Sequence, residues 1–225
     1  MIAGADWFQG SWLVVMDGDD GRETVRKAVD FSDFLKWPDL ALLVIDVPIG
    51  LPDRGPRSCD TQARKIVKPR GSSVFPAPIR PALNARTHEE ACRIWESTEG
   101  KGCSVQAFGI FPIVAGVDRQ MTPQLQARIR EGHPELSFAC MNGGSGLKHS
   151  KHTPEGQQMR IKLLEPDFPT LRVYIAALKS RRAVVDMLDA FAMLWTARRV
   201  RAGLAAAVPD KPEYDTHGLR MEMVV

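Results

Sequence analysis

Two carboxylates close apolar runs early in the chain, Asp6 after residues 1–5 and Asp46 after residues 40–45, and two more, Asp186 and Asp189, fall within a late apolar stretch. Desolvating a carboxylate costs far more than one packed side chain returns, so four acids on core elements call for a compensating charge. A hard divalent ion with oxygen ligands, Mg²⁺ or Mn²⁺, supplies it. On a helix over about 182–202, Asp186, Asp189, Ala190, Met193 and Ala197 form one stripe, flanked by Val184, Val185, Leu188, Phe191 and Trp195. A helix so enclosed directs its acids into a polar cleft against a sheet, where they can meet Asp6 and Asp46. The other reading of the pair is first-turn acids that offset the helix dipole. Two ions held by such a cage activate water and stabilise the leaving oxygen of a phosphodiester. Glu135 is a fifth candidate, sharing one face of an expected strand over 132–140 with His133 and Ser137; that face either extends the site or meets solvent.

The elements that must position these acids follow from periodicity and punctuation. Residues 2–6, 11–16 and 22–29 predict three short strands, with hairpin-turn chemistry at Asp17-Gly18-Asp19-Asp20-Gly21. A short helix at 31–36 precedes a non-alternating strand at 40–46, which suits a position covered on both faces. Pro48, Gly50 and Pro52 stop it, so Asp46 falls where the chain leaves the sheet. A basic helix at 57–67 leads into an irregular Pro/Ser/Gly-rich loop from Pro69 to Pro81. Helices are expected at 87–98, at 104–121 with a kink at Pro112, and again after Thr122-Pro123. Thr153-Pro154-Glu155 opens a helix to about 165, a further one covers 170–179, and residues 219–225 predict an edge strand.

A chain of 225 residues with 44% hydrophobic residues can bury a real core, and one domain with a helical insertion around 54–130 is expected. No apolar run approaches the roughly 20 residues that span a bilayer, and the N-terminus has no basic start or long apolar core, so a cytoplasmic protein without a membrane partner is expected. Cys59, Cys92, Cys103 and Cys140 are scattered, without a C-x-x-C pair, and read as free, mostly buried thiols. The net charge of +3 is too mild to identify a partner, but its distribution is uneven: Arg54 to Arg86 holds eight basic residues against Asp60 alone. Arg64, Lys65, Lys68 and Arg70 from that run, together with Ser72, Ser73, Lys148 and Lys151, are candidates for holding phosphate, with a solvated face as the other reading. His149 and His152 belong to a loop and lack a third zinc ligand.

These residues resemble a known family. Gly4-x-Asp6 with Gly10 and Trp12, Ile45-Asp46-Val47-Pro48-Ile49-Gly50-Leu51, Ser72-Ser73-Val74-Phe75-Pro76, Lys101-Gly102 with Gln106-Ala107-Phe108, His133-Pro134-Glu135-x-Ser137-Phe138, Ser150-Lys151-x-Thr153-Pro154-Glu155-Gly156 and Asp186-x-x-Asp189-Ala190 are similar, in order, to a bacterial domain-of-unknown-function family described as predicted RNase H-like nucleases. That resemblance implies an α/β fold of the ribonuclease H and resolvase kind, a mixed sheet with its first three strands antiparallel, flanked by helices. It also implies a nucleic-acid partner and Mg²⁺ or Mn²⁺ held by Asp6, Asp46, Asp186 and Asp189. Trp7 departs from the family, which usually carries Gly after the first Asp. The competing classes are an actin-like phosphotransferase, which also begins with a Gly-x-Asp strand and hairpin, and a nucleic-acid- or nucleotide-binding module that has lost turnover.

Overall fold

The early alternation of β-branched and small residues forms an antiparallel meander of β1 (Ile2–Phe8), β2 (Ser11–Asp17) and β3 (Glu23–Ala28). Gln9 and Gly10, both at positive φ, make the two-residue turn between β1 and β2, the geometry that matches the twist of paired strands. The computed structural model describes residues 1–18, 21–100 and 102–225. Asp19 and Asp20 of the expected second hairpin turn, and Lys101, lie outside the described residues.

After α1 (Phe31–Leu35), capped by Asp30 with Asp33 reaching back, β4 (Leu42–Ile45) runs parallel to β1. A short β5 (Ile129–Glu131) adds parallel to β4, giving one mixed five-stranded sheet in the order β3-β2-β1-β4-β5. The long segment from β4 to β5 carries α2 (Ser58–Ile66), α3 (His88–Glu99), α4 (Val105–Gly109) and α5 (Phe111–Asp118). Beyond β5 come α6 (Pro134–Met141), α7 (Pro154–Leu164), α8 (Leu171–Ala176) and α9 (Arg181–Arg201). The chain ends in β6 (Ala207–Tyr214) and β7 (Arg220–Val224), a separate antiparallel pair.

Strand alternation divides the core between the two faces of the sheet. Ala3, Ala5, Trp12, Val14, Leu43 and Ile45 pack on the side of α1 and α5, while Ile2, Leu13, Val15, Leu42 and Val44 pack on the side of α7 and α9. Gly4 belongs to the second face, and there α9 lies directly on the strand: a Cβ at Gly4 would stand 1.9 Å from Leu194 N and 2.4 Å from the Met193 carbonyl carbon. Gly132 plays the same part beside β4, where a Cβ would meet Val44 Cγ1 at 2.6 Å and Met193 Sδ at 3.0 Å.

The structure corrects four expectations. Residues 132–140 are not a strand: His133 caps α6 and Pro134 occupies its first helical position, so the polar-apolar alternation there was coincidental. Burial runs continuously from Pro134 to Ala139, as suits a helix enclosed on all sides. The helix expected after Pro123 is only a 3₁₀ turn at Leu125–Ala127 leading into β5. The segment 104–121 is two helices that break at Ile110, just ahead of Pro112, rather than one kinked helix. The terminal strand pairs with β6, which the Pro-containing sequence concealed, and does not edge the main sheet.

Gly4→Ala should therefore destabilise the chain at the upper end of the ~1–3 kcal/mol typical of overpacked cores, or beyond it, because the obstacle is helix backbone that cannot rotate away. Gly116→Ala in α5, where a Cβ meets nothing within 4 Å, should be neutral or stabilising. Chemical denaturation midpoints of the two variants provide the comparison; equal midpoints would mean that α9 does not rest on Gly4.

Candidate functional site

The parallel register carries Ala5 opposite Ile45 and so places Asp6 opposite Asp46, with the Asp46 N–H donating to the Ala5 carbonyl at 3.2 Å. Neighbouring strands lie about 4.8 Å apart, which sets the spacing of the two backbones. Two residues back, Gly4 and Val44 face α9, so alternation turns Asp6 and Asp46 toward the same helix. Asp6 lies about 6.6 Å along β1 from the Gly4 contact, and Asp189 lies about 6–7.5 Å along α9 before Met193 and Leu194. The helix thereby delivers Asp189 to the two strand-end acids, with Asp186 one turn further out.

The electrostatics record this convergence. Burial pushes the Asp6 carboxyl well above the usual carboxylate range, and the charges of Asp189, Asp46 and Asp186 push it further, against the opposing pull of Lys151. Asp46 is raised by enclosure and by Asp189 and Glu135, with His133 and Lys151 opposing. Asp186 is raised to about 6 by partial burial and by Asp189. Asp189 is almost wholly buried; its Oδ2 accepts from Lys151 Nζ at 2.6 Å, and its Oδ1 has no hydrogen-bond partner. Burial alone would lower the Lys151 pKa, but Asp189, Asp46 and Asp6 outweigh it and hold the ammonium above its ordinary value.

Lys151 reaches the acids because the turn before α7 is tight. Thr153 caps the helix by accepting from the Gly156 N–H, and a Cβ at Gly156 would stand 1.9 Å from the Ser150 carbonyl oxygen. Arg160, fully buried on α7, donates to Glu135 Oε1 at 2.5 Å and to the His149 and Gly156 carbonyls, so one guanidinium fixes both the Lys151 loop and α6. Glu135 is thus partly neutralised by Arg160, while its Oε2 is buried without a partner. His133 accepts the Glu135 N–H through Nδ1 and sits at 3.4 Å from the Ser73 carbonyl through Nε2.

Asp6, Asp46, His133, Glu135 and Lys151 line a cleft of about 480 Å³, with Trp7, Phe75, Ile110 and Ile113 as its apolar part. Asp189 is buried behind it, and Asp186 lines a neighbouring depression that shares Lys151 and His152. Trp7 packs edge-on against Trp12 at 5.4 Å, on the sheet face opposite to Asp6. Among the expected phosphate-holding residues, Arg70, Ser72, Ser73 and Lys151 line the cleft. Arg64, Lys65 and Lys68 lie instead along a shallow neighbouring depression that meets the cleft at Ser72. Lys148 lines neither and offers its carbonyl to Arg70 Nη2 at 2.5 Å. Arg64 donates to the Val74 carbonyl at 2.8 Å, so part of the basic run braces the loop it adjoins.

Sequence reasoning missed Arg57 and Glu131, which also line the cleft. Arg57 is buried and donates to both oxygens of Glu131 at 2.7 Å, to both oxygens of Asp60, and to the Ile49 and Gly50 carbonyls. Burial lifts Glu131 to about 7 despite the Arg57 charge and the Ile49 N–H that donates to it. Arg57 reads in sequence as one more residue of a basic run, and no local spacing pairs it with an acid so far along the chain.

The donor set fits a hard divalent cation: four crowded carboxylates, two of which, Asp186 and Asp189, keep a buried oxygen without a partner. Among the described residues, no three of these acids bring oxygens within 4.8 Å of one another. Closing on one ion therefore requires carboxylate rotation and release of the Lys151 ammonium from Asp189.

A family model described as "Protein of unknown function (DUF429)" matches residues 4–214, nearly the whole chain. Searches of curated proteins and of solved structures returned no match.

Crowding of the acids predicts a stability that depends on pH and, should a cation bind them, a pH-dependent response to metal. A carboxyl whose folded pKa exceeds its unfolded value binds more protons in the folded state, so its contribution to stability is present at low pH and is lost as pH rises through the folded value, about 6 for Asp186. Mg²⁺ should restore it by replacing the lost protons. Thermal melting in Mg²⁺ against EDTA should show a stabilisation at about pH 7.5 that disappears near about pH 4, where protons already neutralise the acids. An Mg²⁺ shift of equal size at both pH values would contradict cation binding at these acids.

Proposed function

We propose that this chain, which belongs to the DUF429 family, hydrolyses phosphodiester bonds of nucleic acid with Mg²⁺ or Mn²⁺ in the acid-lined cleft. The observation that carries the reading is the meeting of Asp6 on β1, Asp46 just after β4 and Asp189 on α9, where the Asp189 charge raises both Asp6 and Asp46. The meander followed by a parallel β4, with acids on β1, after β4 and on a late helix, supports an RNase H-like arrangement. Asp6, Asp46 and Asp189 would hold the metal, with Asp186 beside them. Bound there, the metal supplies the charge that activates water and stabilises a leaving oxygen.

The chain's own groups do the remaining work. Arg70, Ser72 and Ser73 line the same cleft as the acids and suit the capture of a phosphodiester there. Half-exposed Phe75 and Trp7 offer flat apolar surface for a nucleobase. Glu135 Oε2, unpartnered beside Asp46, is placed to accept a proton, and Arg160 holds its orientation through Oε1. Lys151, which donates to Asp189, would be available to a phosphate oxygen once Asp189 served as a metal ligand.

A second reading, a nucleic-acid-binding module without turnover, is favoured by one contact: the Lys151 ammonium on Asp189 can neutralise the acids with no metal at all. Cleavage separates the two. Asp46→Asn should reduce Mn²⁺-dependent cleavage of a panel of single- and double-stranded DNA and RNA to background, and should raise the metal-free melting temperature by removing one crowded charge. Undiminished cleavage by the purified variant would end the assignment.

Substrate capture gives a separate test. Replacing Arg64, Lys65, Lys68 and Arg70 by Gln should weaken nucleic-acid binding about equally across sequences and flatten its salt dependence by about one unit of slope for each phosphate that is no longer neutralised. Lys65→Gln with Lys68→Gln, which leaves the loop-bracing arginines in place, should show a smaller effect of the same kind. Parallel lines of equal affinity in a plot of binding against salt would mean that the basic run is only a solvated face.

A further inference from the structure

A second cluster of ligand-bearing side chains lies in the segment between β4 and β5, apart from the acids. His88 opens α3 and Cys92 follows it by one helical turn, so the two share a face. Gly100 ends the helix in the left-handed conformation, and the returning chain brings Cys103 against both. His88 Nε2 and the two Sγ atoms all lie within 4.8 Å of one another.

The spacings are those of a metal tetrahedron. Zn–S bonds of about 2.3 Å and Zn–N bonds of about 2.0–2.1 Å put two sulfurs about 3.8 Å apart and a sulfur and a nitrogen about 3.6 Å apart. The Cys92 and Cys103 sulfurs stand 3.7 Å apart, and Cys92 Sγ stands 3.3 Å from His88 Nε2. The Cys103 carbonyl oxygen lies beside the group, 3.0 Å from Nε2 and 3.3 Å from Cys92 Sγ, and the fourth position of the tetrahedron is left to it or to water. Gly102 lets the chain approach this closely, because a Cβ there would stand 3.2 Å from Cys92 Sγ.

We propose that His88, Cys92 and Cys103 form a structural Zn²⁺ site, independent of the acid-lined cleft. Two thiolates and a neutral imidazole balance the charge of Zn²⁺ and match its softness, whereas Mg²⁺ prefers the carboxylates. Binding releases the two thiol protons to solvent. The His88 ring lies 5.7 Å from Phe108 and Phe108 lies 5.3 Å from Phe111, so the ion would clamp α3 to α4 and steady the start of α5, which supplies Ile113 and Val114 to the cleft wall. The cysteines are then ligands rather than the idle buried thiols expected from their scatter, and of the four only Cys59 is fully buried.

The test uses the full chain, reduced and stripped with EDTA, then titrated with Co²⁺ and back-titrated with Zn²⁺. One equivalent of Co²⁺ should produce thiolate-to-metal charge-transfer absorption that Zn²⁺ abolishes. Cys92→Ser and Cys103→Ser should each lose it, His88→Gln should weaken binding, and Asp46→Asn, away from this cluster, should leave the charge-transfer band as it is. Should a serine variant fail to fold, the wild type still decides the matter, because Zn²⁺ should slow alkylation of Cys92 and Cys103 and leave Cys140 unaffected. The proposal is overturned by absence of the charge-transfer band in the reduced chain, by its persistence in both serine variants, or by alkylation rates indifferent to Zn²⁺.

Discussion

The backbone of α9 rests on the backbone of β1 at Gly4, and most of what matters in this molecule depends on that contact. Helices usually stand off a sheet by the length of the side chains between them. Here a strand position without a side chain removes that spacer, and Gly132 leaves room for the Met193 side chain beside Val44 of β4. The late helix sinks toward the sheet, so short aspartate side chains on it can reach the strand ends. A longer acid such as glutamate would be needed from a helix at ordinary distance, at a greater cost in side-chain entropy. The small residues around Asp189, with Ala190 and Ala197 fully buried, keep the same face of the helix thin.

Two kinds of buried charge then meet at one cleft and behave differently. Arg57, Glu131 and Asp60 form a closed set in which nearly every lone pair and N–H finds a partner, and this set ties the loop after β4 to α2 and to the end of β5. Such a network is an anchor: removing one member leaves the others buried without compensation. The aspartates are an open set, with oxygens that lack partners and with Asp6, Asp46 and Asp186 all raised by burial and by the Asp189 charge. Evenly satisfied charge holds the cleft in shape, and unsatisfied charge gives it something to bind.

Much of the acid cluster was readable from local pattern. Asp46 follows an apolar run and the stripe from Asp186 to Ala197 has helical spacing, so those strand-end and helix-face positions followed from the sequence alone, whereas Asp6, expected to end the first strand, lies inside β1, which continues to Phe8. The antiparallel start of the sheet and the helix beginning at Thr153-Pro154 were readable for the same reason. The elements that escaped are those fixed by distant partners. β5 has three residues and exists because β4 offers it an edge, and β6 contains prolines and a bulge that hide its period. Residues 133–140 alternate like a strand, but buried Glu135 and Ser137 find Arg160 and Thr196 on other helices, and no local rule announces those pairings. The same holds for Arg57 and Glu131.

The long excursion between β4 and β5 has a kinetic consequence. Pairing Ile45 with Glu131 closes a large loop, and α9 must cross back from still later in the chain, whereas β1, β2 and β3 meet through turns of a few residues. Loop-closure entropy makes distant pairings form after local ones, so the meander is the natural early structure and the β4–β5 pairing with docking of α9 come late. The acids that repel one another are consequently kept apart until the rest of the core is in place to hold them together. A chain emerging from synthesis would carry Asp6 and Asp46 well before Asp189 reaches them, and the crowding of the three carboxyls would arise only with the closing step of folding.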